Sequence, residues 1–322
     1  MRDHLAPPPD AINLPEGEAL RLSADDGFAL RAAFFRPPAD ARANPRGTIF
    51  LLQGRAEFIE KYAEVIAELL ARGFAVATLD WRGQGGSARM MKNSAKGHVE
   101  DFTDYERDLA ALMAAARAHA LPEPYGLLAH STGAAIALHH LARDPSAFGR
   151  AILCAPLVEI GGLRWKAGAR ALSRLFSLLG LAGLFVPTGK AEPTNLKPFE
   201  GNPLTGDETR YRRPRAWHEA APDLFIGDPT IGWVEAAFES LARFRKPDFG
   251  QKNRTPILMV LGGADHVTDP RAAGDLAVRM RGASSITLAE ARHEILFERD
   301  PIRAAFWAAF DAFMLPEETA LP

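Results

Sequence analysis

A chain of 322 residues, 47% hydrophobic and 24% charged, is long enough for two domains or for one large core carrying an insertion. Its 38 basic and 40 acidic side chains leave a formal charge of −2, without the basic surplus that neutralising nucleic-acid phosphates requires. The single cysteine, Cys154, excludes an intramolecular disulfide framework and a cysteine-rich zinc site, and its neighbours Ala151, Ile152 and Leu153 make it a small apolar core residue.

The lead from Met1 to Pro9 has no apolar stretch of a secretory leader, so a cytoplasmic protein is expected. Ala19–Ser23 and Phe28–Phe35 read as strands joined by the turn residues Asp25, Asp26 and Gly27. Thr48–Leu52 is a continuous apolar run between Gly47 and Gly54, the pattern of a strand buried on both faces. Apolar residues at helical spacing from Ile59 to Leu70 predict a helix over Glu57–Arg72, closed by Gly73. A strand over Phe74–Leu79, a helix over Phe102–His119, a strand over Tyr125–Ala129, a helix over Gly133–Arg143 and a strand over Arg150–Ala155 continue the alternation. Such alternation predicts right-handed crossovers and a mostly parallel sheet with helices on both faces.

After Pro156 the rhythm breaks. It resumes with a strand over Pro256–Leu261, a helix over Ala272–Met280, a strand over Ser284–Leu288 and a helix over Pro301–Met314. The expected organisation is therefore a core of residues 1–156 and 254–322, interrupted by a mainly helical cap at 157–253. The weakly polar run from Leu175 to Pro187 is too short and too broken by Pro and Gly to span a bilayer.

The chemistry is concentrated at strand ends. His130-Ser131-Thr132-Gly133 joins a strand to a helix, and a serine on such a sharp turn is lifted above the sheet edge while small neighbours let the turn close. A serine nucleophile needs a base to take its proton and an acid to orient that base. In this kind of sheet the partners follow in the order Ser, Asp or Glu, His. Asp265 follows the strand ending at Leu261 and a glycine turn, and His293 follows the last strand, so both should reach the edge that carries Ser131. Glu159 and Asp269 are competing acids. His130 should point away from the nucleophile. The developing oxyanion needs two amide donors, assigned to the N–H groups of Arg55 and Thr132. Histidine clusters at metal-binding spacing are lacking, and neither a metal nor a cofactor is expected.

Around these residues the chain resembles the α/β-hydrolases, and within them the lysophospholipase and monoacylglycerol lipase group, also called the serine aminopeptidase family. Asp80-Trp81-Arg82-Gly83-Gln84-Gly85-Gly86-Ser87 is similar to that group's D-x-R-G-x-G-x-S stretch, and Gly97-His98-Val99 with Asp101, Phe102, Tyr105 and Asp108 is similar to the segment that follows it. Ala291-Arg292-His293-Glu294-Ile295-Leu296-Phe297-Glu298 and Asn202-Pro203-Leu204-Thr205 resemble its histidine loop and cap. Gln53 and Ala129 depart from the usual His and Gly. The resemblance implies an α/β-hydrolase fold and a serine ester hydrolase that needs no cofactor, with a lysophospholipid or monoacylglycerol as substrate. General carboxylesterase, thioesterase and peptidase activities use the same groups. A catalytically silent ligand-binding protein is the reading from another class.

In the cap, Lys166, Arg170 and Arg174 recur every four residues opposite Trp165, Leu172, Phe176 and Leu179, the pattern of a basic amphipathic helix. It suits either an anionic membrane surface or, as the favoured reading, a helix packed on the core with its charges in water. Arg210, Arg212, Arg213 and Arg215 form a second basic cluster, suited to a phosphate headgroup or to a solvated loop.

Overall fold

The computed structural model describes residues 1–9, 12–38, 45–163, 165–193 and 196–315. Its strands are β1 (Gly17–Ser23), β2 (Ala29–Phe35), β3 (Thr48–Leu52), β4 (Ala75–Asp80), β5 (Tyr125–His130), β6 (Arg150–Cys154), β7 (Ile257–Gly262) and β8 (Ala283–Leu288). They form one sheet of eight in the order β1-β2-β4-β3-β5-β6-β7-β8. β1 and β2 pair antiparallel, as does β2 with β4, and every other pairing is parallel. The central strands are buried along their whole length, which is why they read as unbroken apolar runs.

Helices α1 (Ala63–Ala71), α2 (Thr103–Ala118), α3 (Ser131–Arg143), α7 (Pro270–Arg279) and α8 (Asp300–Met314) cover the sheet. One face packs Leu109 and Leu112 of α2, Ile136 and Leu138 of α3 and Leu276 of α7; the other packs Ile66 and Leu69 of α1 with Phe306 and Phe310 of α8. Between β6 and β7 lie α4 (Lys166–Leu178), α5 (Glu208–Ala220) and α6 (Ile231–Phe244). β6 nevertheless pairs directly with β7, so the segments before and after those helices share one sheet. Residues 316–322 of the second core segment lie outside the described residues.

The helix expected from Glu57 begins later. The chain stays irregular to Phe58, makes a 3-10 turn at Ile59–Tyr62 and only then enters α1. The Glu57 carboxylate reaches back to the Gly54 N–H, and Ala56 takes a left-handed φ of 60°, so this stretch is a built loop. Beneath it, Arg31 is fully buried between Glu60 (2.7 Å) and Asp80 (2.7 Å from Nε), while Asp80 also accepts from the N–H groups of Ile59 and Gly86.

The chain leaves β3 toward β4 on one side and reaches β5 on the other. The carboxyl ends of β3 and β5 therefore flank the point where strand order reverses, the crevice where ligands bind in such sheets.

Candidate active site

Ser131 stands at that crevice. It has a left-handed φ of 52°, a conformation costly for any residue with a Cβ, and it holds because β5 runs straight into α3 while the Ser131 carbonyl accepts from Leu157 N–H (3.1 Å). The glycine two residues on is obligatory: a Cβ at Gly133 would lie 2.4 Å from the Gln53 carbonyl oxygen and 2.7 Å from that of Leu52. Ala129, by contrast, fits its place opposite Leu52 in the ladder and is fully buried there.

The loop after β8 brings His293 Nε2 to 3.0 Å from Ser131 Oγ, and His293 Nδ1 to 2.9 Å from Asp265 Oδ2. All three side chains are buried. An ionised carboxylate only accepts, so Nδ1 carries the proton and the Nε2 lone pair faces the serine hydroxyl. Burial pushes the Asp265 carboxyl up, but hydrogen bonds from His293 and Thr268 outweigh it and hold the group below its ordinary value. The competing acids are engaged elsewhere: Glu159 pairs with Arg245, and Asp269 caps α7 through the N–H groups of Arg271 and Ala272. Among the described residues the amides of Arg55 and Thr132 donate to no protein acceptor, and both residues line the same cavity as Ser131.

That cavity encloses about 300 Å³. Leu157, Ile160, Trp233, Val234 and Val267 give it an apolar wall, while Glu57, Lys61, His130 and Glu294 make one end polar. His130 does not turn away from the site as expected. Its Nδ1 meets Glu57 at 3.1 Å and its Nε2 meets the His293 carbonyl oxygen at 3.2 Å, so it props the histidine loop from below. Both partners only accept, which requires both ring nitrogens to be protonated. Burial opposes that charge, and Glu57 overcomes it and raises the pKa. Lys61 bridges Glu57 (2.6 Å) and Glu294 (2.7 Å), so the four charges balance. Neither this group nor the Gln84 amide, which clamps the loop at Gly54–Glu57, was identified from sequence. The only local signal is Glu57 four residues before Lys61, a spacing that surface helices share.

The cap departs from expectation in two places. The favoured reading of α4 packed it on the core with its charges in water; the charges do lie at the surface, Lys166 3.5 Å from Asp269 and Arg170 3.0 Å from Glu239, but Trp165, Leu178 and Leu179 are 71%, 77% and 63% exposed. Lys166 and Arg170 thus take acidic partners in surface pairs, and much of the apolar face stays outside instead of packing on the core. The second cluster is likewise engaged internally: Arg210 pairs with Glu64, Asp207 and Asp300, Arg212 with Glu208, and Arg213 with Glu64, while Arg215 donates to the Leu196 carbonyl. Among the described residues no helix is long and apolar enough to cross a membrane.

A mostly parallel sheet presenting an elbow serine with a histidine and an aspartate from later strand ends defines a serine hydrolase of the α/β-hydrolase class. The family profile described as serine aminopeptidase, S33, matches residues 43–300, and the chain belongs to that family. It is 32% identical to lysophospholipase L2 of Escherichia coli over 82% of this chain and 79% of that protein. It is 29% identical to the probable lysophospholipase L2 of Haemophilus influenzae over 80% of each. Among solved structures, a monoglyceride lipase from Saccharomyces cerevisiae in complex with a substrate analogue superposes with a TM-score of 0.72 at 18% identity, covering 97% of this chain and 98% of that one. At that identity the likeness speaks for the fold alone.

Proposed function

We propose that this protein hydrolyses the carboxylic ester of single-chain lipids, lysophospholipids or monoacylglycerols, through an acyl-enzyme on Ser131. The observation that carries the reading is the contact of Ser131 Oγ with His293 Nε2 at 3.0 Å inside a cavity with one apolar wall and one polar end. His293 takes the serine proton as Oγ attacks the ester carbonyl. Asp265 keeps the imidazole in the tautomer that can do so and stabilises the imidazolium. The Arg55 and Thr132 amides hold the oxyanion, and the protonated His293 passes its proton to the leaving alcohol. Water activated by the same histidine then releases the fatty acid. No step requires a cofactor.

The cavity's polarity suits a lipid with a hydrophilic alcohol and a hydrocarbon acyl chain. The exposed apolar face of α4 supports peripheral contact with a membrane surface, at the inner face for a cytoplasmic protein, through which such a lipid would reach the cavity. Residues 157–253 then act as a lid. A substrate panel tests the reading: monoacylglycerol, lysophosphatidylethanolamine, short p-nitrophenyl esters, an acyl thioester and an aminoacyl amide, each with Ser131→Ala as control. Turnover of the lipid esters at least about a hundredfold above the variant is expected. Preference for the thioester or the amide would move the protein to another activity of its family. Ligand binding with no turnover would make it a silent binding protein.

A further inference from the structure

Arg55 has been considered so far only for its backbone amide. Its side chain is a second feature of the cavity. The guanidinium runs beneath the cap, where Nη2 donates to the Gly227 carbonyl oxygen (2.7 Å) and Cζ lies 5.3 Å from the centre of the Trp233 ring. Among the described residues Nε is buried without a partner and Nη1 makes no hydrogen bond. No carboxylate among the described residues lies within ion-pairing distance of it. Lys61 and His130, the cations at the cavity's polar end, are by contrast each matched by glutamate. Among the described residues Arg55 is thus the cavity-lining cation without an ion-pair partner.

A half-buried cation without an ion-pair partner is costly, and its desolvation pushes the Arg55 guanidinium down to about 10, against only partial relief from Tyr105 and Asp228. An arrangement this costly is stable when a ligand supplies the missing anion. A guanidinium whose Nη1 is not yet hydrogen-bonded among the described residues can donate to the oxygens of a phosphate. The position fits as well: if the Arg55 amide meets the ester carbonyl, its guanidinium stands no more than one side-chain length away, and the phosphorus of a glycerophospholipid stands one glycerol unit from the same carbonyl. The space is guarded, since a Cβ at Gly97 would come within 3.2 Å of Nη2.

We infer that the Arg55 side chain is an anion subsite for the phosphodiester of a lysophospholipid, so that the single-chain lipid preferred by this site carries a phosphorylated headgroup. The inference rests on the ester-hydrolase reading above. Its test compares wild type with Arg55→Met, which keeps the backbone amide and an unbranched side chain, on 1-palmitoyl lysophosphatidylethanolamine and 1-palmitoylglycerol in the same micelles. The ratio of kcat/KM for the two substrates should fall about tenfold or more in the variant, chiefly through KM for the phospholipid. A parallel loss on both substrates would make Arg55 a tether between loop and cap, and an unchanged ratio would remove it from recognition; either result overturns the inference. Titration calorimetry with glycerophosphoethanolamine on Ser131→Ala, with and without Arg55→Met, reads the subsite without turnover. Binding lost with the arginine supports the inference. Equal binding by inorganic phosphate would assign a free-anion site instead, and binding indifferent to Arg55 would contradict the inference. Failure of wild type to hydrolyse either lipid would refute the lipid-ester reading above, and the calorimetry would still decide the subsite.

Discussion

Gln84 holds the oxyanion loop in place, and replacing it should slow the reaction without weakening substrate binding. Its buried amide donates to the carbonyl oxygens of Gly54 (2.9 Å) and Glu57 (3.1 Å) and accepts from the Ala56 N–H (3.2 Å), so it brackets Arg55 on both sides. At about 1 kcal/mol net for each bond, losing the amide should cost roughly 3 kcal/mol of stability. The Arg55 amide itself survives but is no longer fixed. Losing an oxyanion donor outright costs about 10²–10³ in kcat, so loosening one should cost about 10–100-fold. Gln84→Glu keeps the shape and sets carboxylate oxygens against two carbonyl oxygens, so it should do at least as much damage as Gln84→Ala. The assay is steady-state hydrolysis of p-nitrophenyl butyrate, paired with inhibition by an alkyl boronic acid that mimics the tetrahedral intermediate. Boronate affinity should fall in step with kcat/KM while KM stays within about threefold. A folded Gln84→Glu enzyme with kcat within about threefold of wild type would show that the loop needs no such clamp.

Three further expectations concern the scaffold. Arg31→Met strands two fully buried carboxylates, Glu60 and Asp80, and should cost about 3–5 kcal/mol, or about 5–8 °C in Tm by calorimetry; a shift under about 2 °C would mean the triad contributes little. Gly133→Ala drives a Cβ into the backbone carbonyls of β3 and its loop, so a loss of about 1–3 kcal/mol with a large fall in kcat is expected, and near-normal activity would contradict the elbow's tight fit. Burial pushes the Glu64 carboxyl up from 4.5, but hydrogen bonds from Arg210 and Arg213 and the charge of Arg303 overcome it and hold its pKa at about 2. Its folded pKa is depressed, so the stability it contributes is fully present above pH 4.5 and is lost as pH falls toward 2. Glu64→Gln should lower the denaturation midpoint at neutral pH and flatten its decline across that window, and an unaltered pH profile would exclude this strap between cap and core.

Much of this was legible in the chain itself, for physical reasons. Strands buried on both faces are written as apolar runs, so β3 to β7 could be read almost residue by residue. Ser131, Asp265 and His293 were legible because each sits just beyond a strand, where topology fixes the edge a side chain reaches. What escaped depends on long-range contact. His130 is turned toward Glu57, 73 residues away in sequence, and nothing local to it encodes that partner. The α4 pattern gave the amphipathicity correctly but not how little of the apolar face packs, because what lies against a helix is set by distant parts of the chain. At Gln53 the loop uses the main chain: its carbonyl accepts from Trp81 Nε1 at 2.9 Å, while among the described residues its side-chain Oε1 is buried without a partner.

The central claim is that Ser131 is the nucleophile, activated by His293. Treatment of the folded protein with a fluorophosphonate, followed by intact mass and peptide mapping, tests it most directly. One adduct is expected, on Ser131, forming rapidly in wild type, orders of magnitude more slowly in His293→Ala, and not at all in Ser131→Ala. An adduct elsewhere, or equal labelling rates in wild type and His293→Ala, would contradict it.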